Sequence, residues 1–178
     1  HETPQFSIES SLCLVRDRSV TIVRYVNRGE REIGLRVRPL LAFRGSHNLQ
    51  SENAELDTAM ELRGEIAWVR PFPYLPKLFL RAVGRTTDLS PTWYRRFAYR
   101  IEAERGYDSE EDLWSPLEWT WLLAPGAHAY ILFSLEQVAA DPAHLLESEC
   151  RRRSTFSPTG DSLFDEVARR AETFLVEG

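Results

Sequence analysis

Apolar and polar positions alternate with period two along the first two-thirds of this chain, the spacing that puts every second side chain on one face of a strand. In "FSIESSLCLVR" the pattern places Phe6, Ile8, Leu12 and Leu14 on one face, with a slip at Ser10 and Ser11 that reads as a bulge. Asp17-Arg18 links it to "RSVTIVRYVN" as a hairpin, and Asn27-Arg28-Gly29 leads into "REIGLRVRPLLAFR". There Ile33, Leu35 and Val37 alternate with Gly34, Arg36 and Arg38, predicting one buried face and one lined with arginine. The three runs predict an antiparallel meander.

A polar, looped stretch, "GSHNLQSENAELDTAMELRG", comes next. Then "EIAWVRPFPYLPKLFLRAVG" predicts two strands around a corner made by Pro71, Pro73 and Pro76. "EWTWLLAPG" and "AYILFSLE" predict a hairpin turned at Pro125-Gly126, with Trp119, Trp121 and Leu123 on one face and Glu118, Thr120 and Leu122 on the other. Between these lies "WYRRFAYRIEAERGYDSEEDLWSP", residues 93–116, a strand–turn–strand that turns at Gly106-Tyr107.

The last quarter changes period. Asp141 as N-cap and Pro142 at the first helical position predict a helix over about 141–152, and a second amphipathic helix is predicted over about 161–176. The fold class is therefore mainly β, an antiparallel sandwich of eight or so strands followed by two C-terminal helices. Its expected division is a sandwich over 1–155 and a C-terminal helix over 156–178.

Composition changes this picture little but removes several functions. The 178 residues, 43% hydrophobic and 28% charged, suit a globular domain. Lys plus Arg is 22 against 27 for Asp plus Glu, a net charge of −5, which argues against a nucleic-acid partner. Lys77 is the only lysine, so the positive charge is almost all arginine, suited to bidentate contacts with carboxylates. Cys13 and Cys150 have no CxxC spacing and read as reduced thiols, His1, His47, His128 and His144 are scattered, and no metal or cofactor is predicted. No apolar run is long enough to span a membrane, and a cytoplasmic location is expected. The opening "HETPQF", without Met and already strand-like, predicts a start inside a longer protein.

Two regions carry candidate chemistry. Glu102, Glu104, Asp108, Glu110, Glu111 and Asp112 cluster closely enough for two carboxylates to flank a sugar, and Glu102 and Asp112 are the candidate catalytic pair. The competing reading is an arginine–carboxylate ladder in which Glu102 and Glu104 meet Arg95, Arg96, Arg100 and Arg105, an arrangement common on β surfaces. The second region, the loop after Phe43-Arg44, carries Ser46, His47, Asn48, Gln50, Glu52 and Asn53. Such a set suits a hydroxyl-rich ligand, and it is equally what a solvated loop contains.

The segments "LRVRPLLAFRGSHNLQSENAEL" (35–56) and "PTWYRRFAYRIEAERGYDSEEDLWSP" (91–116) together resemble the N-terminal domain of bacterial and archaeal-type glycogen debranching enzymes. "VTIVRYVN" and "LLESECRRR" are consistent with it, and the likeness runs over roughly residues 6 to 153. The resemblance implies a β-supersandwich that precedes an (α/α)6 barrel with amylo-α-1,6-glucosidase activity, the last helix serving as a linker into that barrel. It implies a non-catalytic domain that positions glucan and packs between domains, with the family's catalytic acids in the barrel. The implied partners are α-glucan (glycogen or maltooligosaccharides) and the barrel of the same polypeptide. Arg44, His47, Asn53, Trp93 and Tyr94 are the candidate glucan contacts. A 4-α-glucanotransferase site within the domain and a purely structural sandwich stay open as alternatives.

Overall fold

The computed structural model describes residues 6–45 and 48–154. Strands run in the order β1 (Ile8–Val15), β2 (Val20–Asn27), β3 (Ile33–Val37), β4 (Met60–Arg63), β5 (Ile66–Val69), β6 (Leu78–Ala82), β7 (Thr86–Asp88) and β8 (Thr92–Ala98). A short helix α1 (Arg100–Glu104) follows, then β9 (Glu110–Ser115), β10 (Glu118–Leu123), β11 (His128–Ser134) and the helix α2 (Pro142–Ser154). The chain divides after Ala139 into two compact units, the first holding every strand and α1, the second holding α2. The mainly β, antiparallel sandwich class read from the alternation is the one observed.

Two sheets face each other across an apolar core. One has six strands in the order β1-β2-β11-β6-β5-β4, the other three in the order β3-β10-β7. Leu80, Ala82, Ala129 and Ile131 from the larger sheet meet Trp119, Trp121 and Leu123 from the smaller, with Ile33, Leu35 and Val37 packed beside them. The predicted faces of β3 and β10 therefore hold. Trp121 keeps its indole N–H satisfied by donating to the Val83 carbonyl at 2.7 Å, which lets a ring with a polar edge be buried.

The connections differ from the prediction. β1 and β2 form the expected hairpin, but β3 pairs with β10 in the other sheet, so there is no three-stranded meander. β10 and β11 likewise lie in different sheets, so Pro125-Gly126 turns a chain that changes sheet and not a hairpin. The turn itself is sound: Ala127 N–H donates to the Ala124 carbonyl at 2.9 Å, and Gly126 takes the positive φ of 76° at the third position behind Pro125. Asn27, fully buried, holds both crossings together. Its amide donates to the carbonyls of Arg31 (2.7 Å) and Leu123 (2.9 Å) and accepts from Gly29 N–H (2.9 Å). Its backbone pairs with Ala127 and Gly126. One side chain thus ties the β2–β3 crossing to the β10–β11 crossing.

β1 departs from its prediction too. Its register with β2 is continuous from Ile8↔Asn27 to Val15↔Val20, with no bulge at Ser10 and Ser11. Leu12 and Leu14 are 66% and 60% exposed, while Cys13 between them is buried. β1 is an edge strand, and the core on that face reaches Val23 and Tyr25 of β2, so the narrower sheet leaves the outermost leucines uncovered.

The predicted first C-terminal helix is α2. The Asp141 carboxylate accepts from His144 N–H at 3.3 Å, and Arg152 and Arg153 both pair with Glu149 at 2.8 Å. The second helix, predicted over 161–176, lies outside the described residues. Cys13, buried, and Cys150, exposed, are not joined in a disulfide, and no helix among the described residues is long and apolar enough to cross a membrane.

Candidate functional site

β8 and β9 form a separate two-stranded arm, joined by α1 where the sequence suggested only a turn. α1 is short and buries none of its residues, and Gly106 ends it at φ 77°. Trp93 opposite Trp114 and Tyr94 opposite Leu113 pair regularly; the register then shifts, so that Arg95 and Arg96 together oppose Asp112 and Phe97 meets Glu111. This is a β-bulge, and Arg96 occupies its left-handed position with φ 59°. Asp112 holds it there: one carboxylate oxygen accepts Arg96 N–H at 2.9 Å, the other Glu52 N–H at 2.8 Å.

The loop after β3 docks along the other side of β9. Leu41 and Trp114 exchange backbone hydrogen bonds at 2.8 and 3.1 Å, and Asp112 N–H donates to the Gln50 carbonyl at 2.7 Å. The Gln50 side chain accepts from Phe43 N–H (2.7 Å) and donates to the Asp112 carbonyl (3.2 Å). Glu111 sits in the middle with a side chain 0% exposed. Arg44 grips it with two donors, Nε at 2.7 Å and Nη2 at 3.1 Å, while Gln50 N–H donates at 3.2 Å and the Tyr99 hydroxyl donates a short hydrogen bond. Burial pushes the Glu111 carboxyl up, but these donors outweigh it and hold it below the usual carboxylate range. The same carboxylate holds the Tyr99 hydroxyl up and raises Arg44 further. The result is a closed, charge-balanced joint between loop and arm.

Beside this joint opens a cleft of about 1150 Å³ lined by Arg44, Asn48, Leu49, Tyr99, Glu102, Tyr107 and Asp108. Of the candidate glucan contacts, Arg44 lines it. Ser46 and His47 lie outside the described residues. The Asn53 side-chain oxygen accepts from Glu55 N–H (2.8 Å) and Leu56 N–H (3.0 Å), closing a local turn. Trp93 packs against the sandwich core, and Tyr94 is 40% exposed on the arm.

The acidic residues separate into distinct roles. Glu102 lines the cleft beside Asp108 and lies 3.7 Å from Arg105, while Asp112 is engaged at the bulge. The candidate pair Glu102 and Asp112 is therefore divided between the cleft and the bulge. Glu104 pairs with Arg100 along α1, Glu110 with Arg96 across strands at 3.0 Å, and Arg95 with Glu52 of the loop. Glu110 is lowered by its hydrogen bond with Arg96, and Asp112 by the Glu52 and Arg96 N–H groups. Among the described residues no group of three His, Cys, Asp or Glu side chains is placed to hold a metal ion.

A family model described as glycogen debranching enzyme N terminal matches residues 2–130, a span that contains β1 to β10, the start of β11, the arm and the cleft. The chain belongs to this family. No curated protein matches it in sequence. Within this debranching-enzyme domain the residues that organise the site include Tyr99 and Tyr107, for which the sequence offers no site role, and Glu111 and Gln50, which it offers only as members of the acidic cluster and of the polar loop. One signal for Glu111 was available. It stands in phase with Leu113, an apolar position that would draw a carboxylate inward, where it needs a partner; Asp112 stands equally in phase with Trp114, so alternation does not choose between the two.

Proposed function

We propose that this chain is a non-catalytic domain of a glycogen debranching enzyme that positions α-glucan and packs against a catalytic barrel of the same polypeptide, with the segment after α2 leading to that barrel. The observation that carries the reading is the cleft beside the Glu111 joint. It sets a guanidinium, a side-chain amide and two phenols beside two carboxylates, groups that can donate to and accept from vicinal hydroxyls while an aromatic face covers the apolar side of a sugar. The exposed Leu12 and Leu14 on β1, the outermost strand of the six-stranded sheet among the described residues, support the packing role.

The state of the carboxylates supports the non-catalytic part. A glycosidic general acid needs a raised pKa, whereas Glu110, Glu111 and Asp112 are all held low and engaged by arginine or backbone donors, which removes these three from that role. One observation favours the transferase alternative: Glu102 and Asp108 share the cleft.

Titration of the chain with maltooligosaccharides, followed by NMR, tests the proposal. The expected outcome is saturable shifts at Tyr99 and Tyr107 with dissociation constants on the order of millimolar, about −4 kcal/mol. Tyr107→Ala should weaken binding without lowering the melting temperature. No release of glucose from a limit dextrin is expected. Transfer of maltosyl units that disappears in both Glu102→Gln and Asp108→Asn would instead establish the transferase reading.

A further inference from the structure

The bulge in β8 has a consequence for its side chains. In a regular strand Tyr94 and Phe97, three residues apart, point to opposite faces. Because Arg95 and Arg96 together oppose Asp112, Tyr94 pairs with Leu113 and Phe97 with Glu111, and residues directly opposite share a face. Tyr99 follows in phase, its N–H donating to the Ser109 carbonyl at 2.7 Å and its hydroxyl reaching Glu111. Three aromatic rings therefore line one face of the arm. Phe97 is 42% exposed, as open as Tyr94, and its ring lies 5.4 Å from that of Tyr99. Tyr99 also lines the cleft, where Tyr107, 67% exposed, stands nearby. The row is thus continuous with the cleft, and from Leu113 to Ser109 it spans about 13 Å at roughly 3.3 Å per residue.

From this geometry we infer that the Tyr94–Phe97–Tyr99 row is an extended platform for a linear α-glucan chain, so that the domain takes oligosaccharides and not single sugars. The inference rests on the glucan reading of the cleft and goes further, since it assigns the length of the ligand and the residues that measure it. A chain held at the cleft by hydroxyl contacts runs out along the arm and covers one aromatic ring after another with its apolar faces. The Phe97 and Tyr99 rings are tilted by 58° to each other, so they offer successive faces and not one flat surface. That the three rings share a side of the arm depends on one inserted residue whose N–H is held by Asp112.

Isothermal titration of the chain with maltose and then maltohexaose tests it, with melting curves on every variant. Affinity should rise about tenfold from maltose to maltohexaose, the scale of one further buried sugar face. Phe97→Ala should abolish that rise and leave maltose affinity unchanged. Phe97→Leu, which keeps an apolar side chain but removes the ring, should do the same, and Phe97→Tyr should keep the rise. Equal affinity for both sugars in the unaltered chain, or a Phe97→Leu variant with its chain-length dependence intact, would overturn the platform while leaving the cleft reading standing. Absence of binding by either sugar would overturn both.

Discussion

In the sandwich, Trp119 and Trp121 of β10 meet Leu80 and Ile131 of the facing sheet, and apolar burial supplies the attraction. At the β8–β9 arm the central buried group is a carboxylate, and the attraction comes from directed donors: Arg44, Tyr99 and Gln50 converging on Glu111, with Asp112 pinning the bulge. Apolar contacts tolerate small shifts because they have no direction. A bidentate guanidinium–carboxylate pair fixes position and angle together. The sandwich thus acts as a frame, and the arm, anchored in the same core through Trp114 and Trp93, has its position and angle set by a few directed bonds, which suits a region that must present a cleft in a defined shape.

The largest expected effect falls on the frame. Trp119→Ala removes a fully buried indole that contacts Trp121 and Phe133, and it should cost about 3–5 kcal/mol, unfolding the arm along with the sandwich. Urea denaturation monitored by circular dichroism checks this. If the arm's tyrosine signals survive after the sandwich has unfolded, the two regions are independent and the frame picture fails.

Asn27→Ala comes next. It leaves the Arg31 and Leu123 carbonyls and the Gly29 N–H without their side-chain partner, and at roughly 1–3 kcal/mol for a buried unsatisfied group, tempered by water entry near Arg31, the loss should be about 2–4 kcal/mol. Equilibrium melting measures it. A loss near zero would mean that the two crossings hold each other without the amide.

These two regions were unequally legible in the sequence. Alternation identified β3, β10 and their buried faces, because period two records which side of a strand meets the core. It could not say which sheet a strand joins: Asn27 and Pro125-Gly126 read as ordinary turns, yet both carry the chain between sheets. Leu12 and Leu14 misled because an apolar residue on an edge strand obeys the same alternation as a core one. The arm was legible as a pair of strands but not as a joint, since Arg44 and Glu111 are 67 residues apart and neither strand's pattern names the other. The bulge was hidden for a related reason: it is set by Asp112 across the ladder, and Arg95-Arg96 looks like any charged pair in a strand.

Glu111→Gln keeps the shape but removes the charge that Arg44 grips, and it should cost about 1–3 kcal/mol, less than a fully buried pair because Arg44 is partly solvated. The expected signature is local: faster amide exchange at Gln50, Asp112 and Tyr99, with Ile22 and Ile131 unchanged. Equal acceleration at all five positions would show that arm and sandwich open as one unit.

Acid should produce the same separation without mutation. Glu110, Glu111 and Asp112 have folded-state pKa values below their ordinary values of 4.5, 4.5 and 3.8. For a depressed carboxylate the stabilisation is fully present above the unfolded value and is lost as pH falls through the folded one. The arm should therefore be intact above about pH 5 and loosen progressively below about pH 4, before the apolar sandwich gives way. NMR shifts at Tyr99 and Asp112 report the arm, and those at Ile22 and Ile131 report the frame. Coincident acid transitions would show that arm and sandwich unfold as one unit.

The smallest effect belongs to the arm's surface. Arg95 reaches Glu52 from an exposed position, and a solvated ion pair gives up as much hydration and side-chain freedom as it gains in attraction. Glu52 also contributes its backbone N–H to Asp112, a bond that does not involve the Arg95 side chain. Arg95→Ala should therefore leave the melting temperature within experimental error, with any difference confined to low salt, whereas Glu111→Gln shifts it at every ionic strength. A salt-insensitive loss from Arg95→Ala as large as that from Glu111→Gln would mean that the arm is held from its surface, and the buried carboxylate would lose its place as the joint.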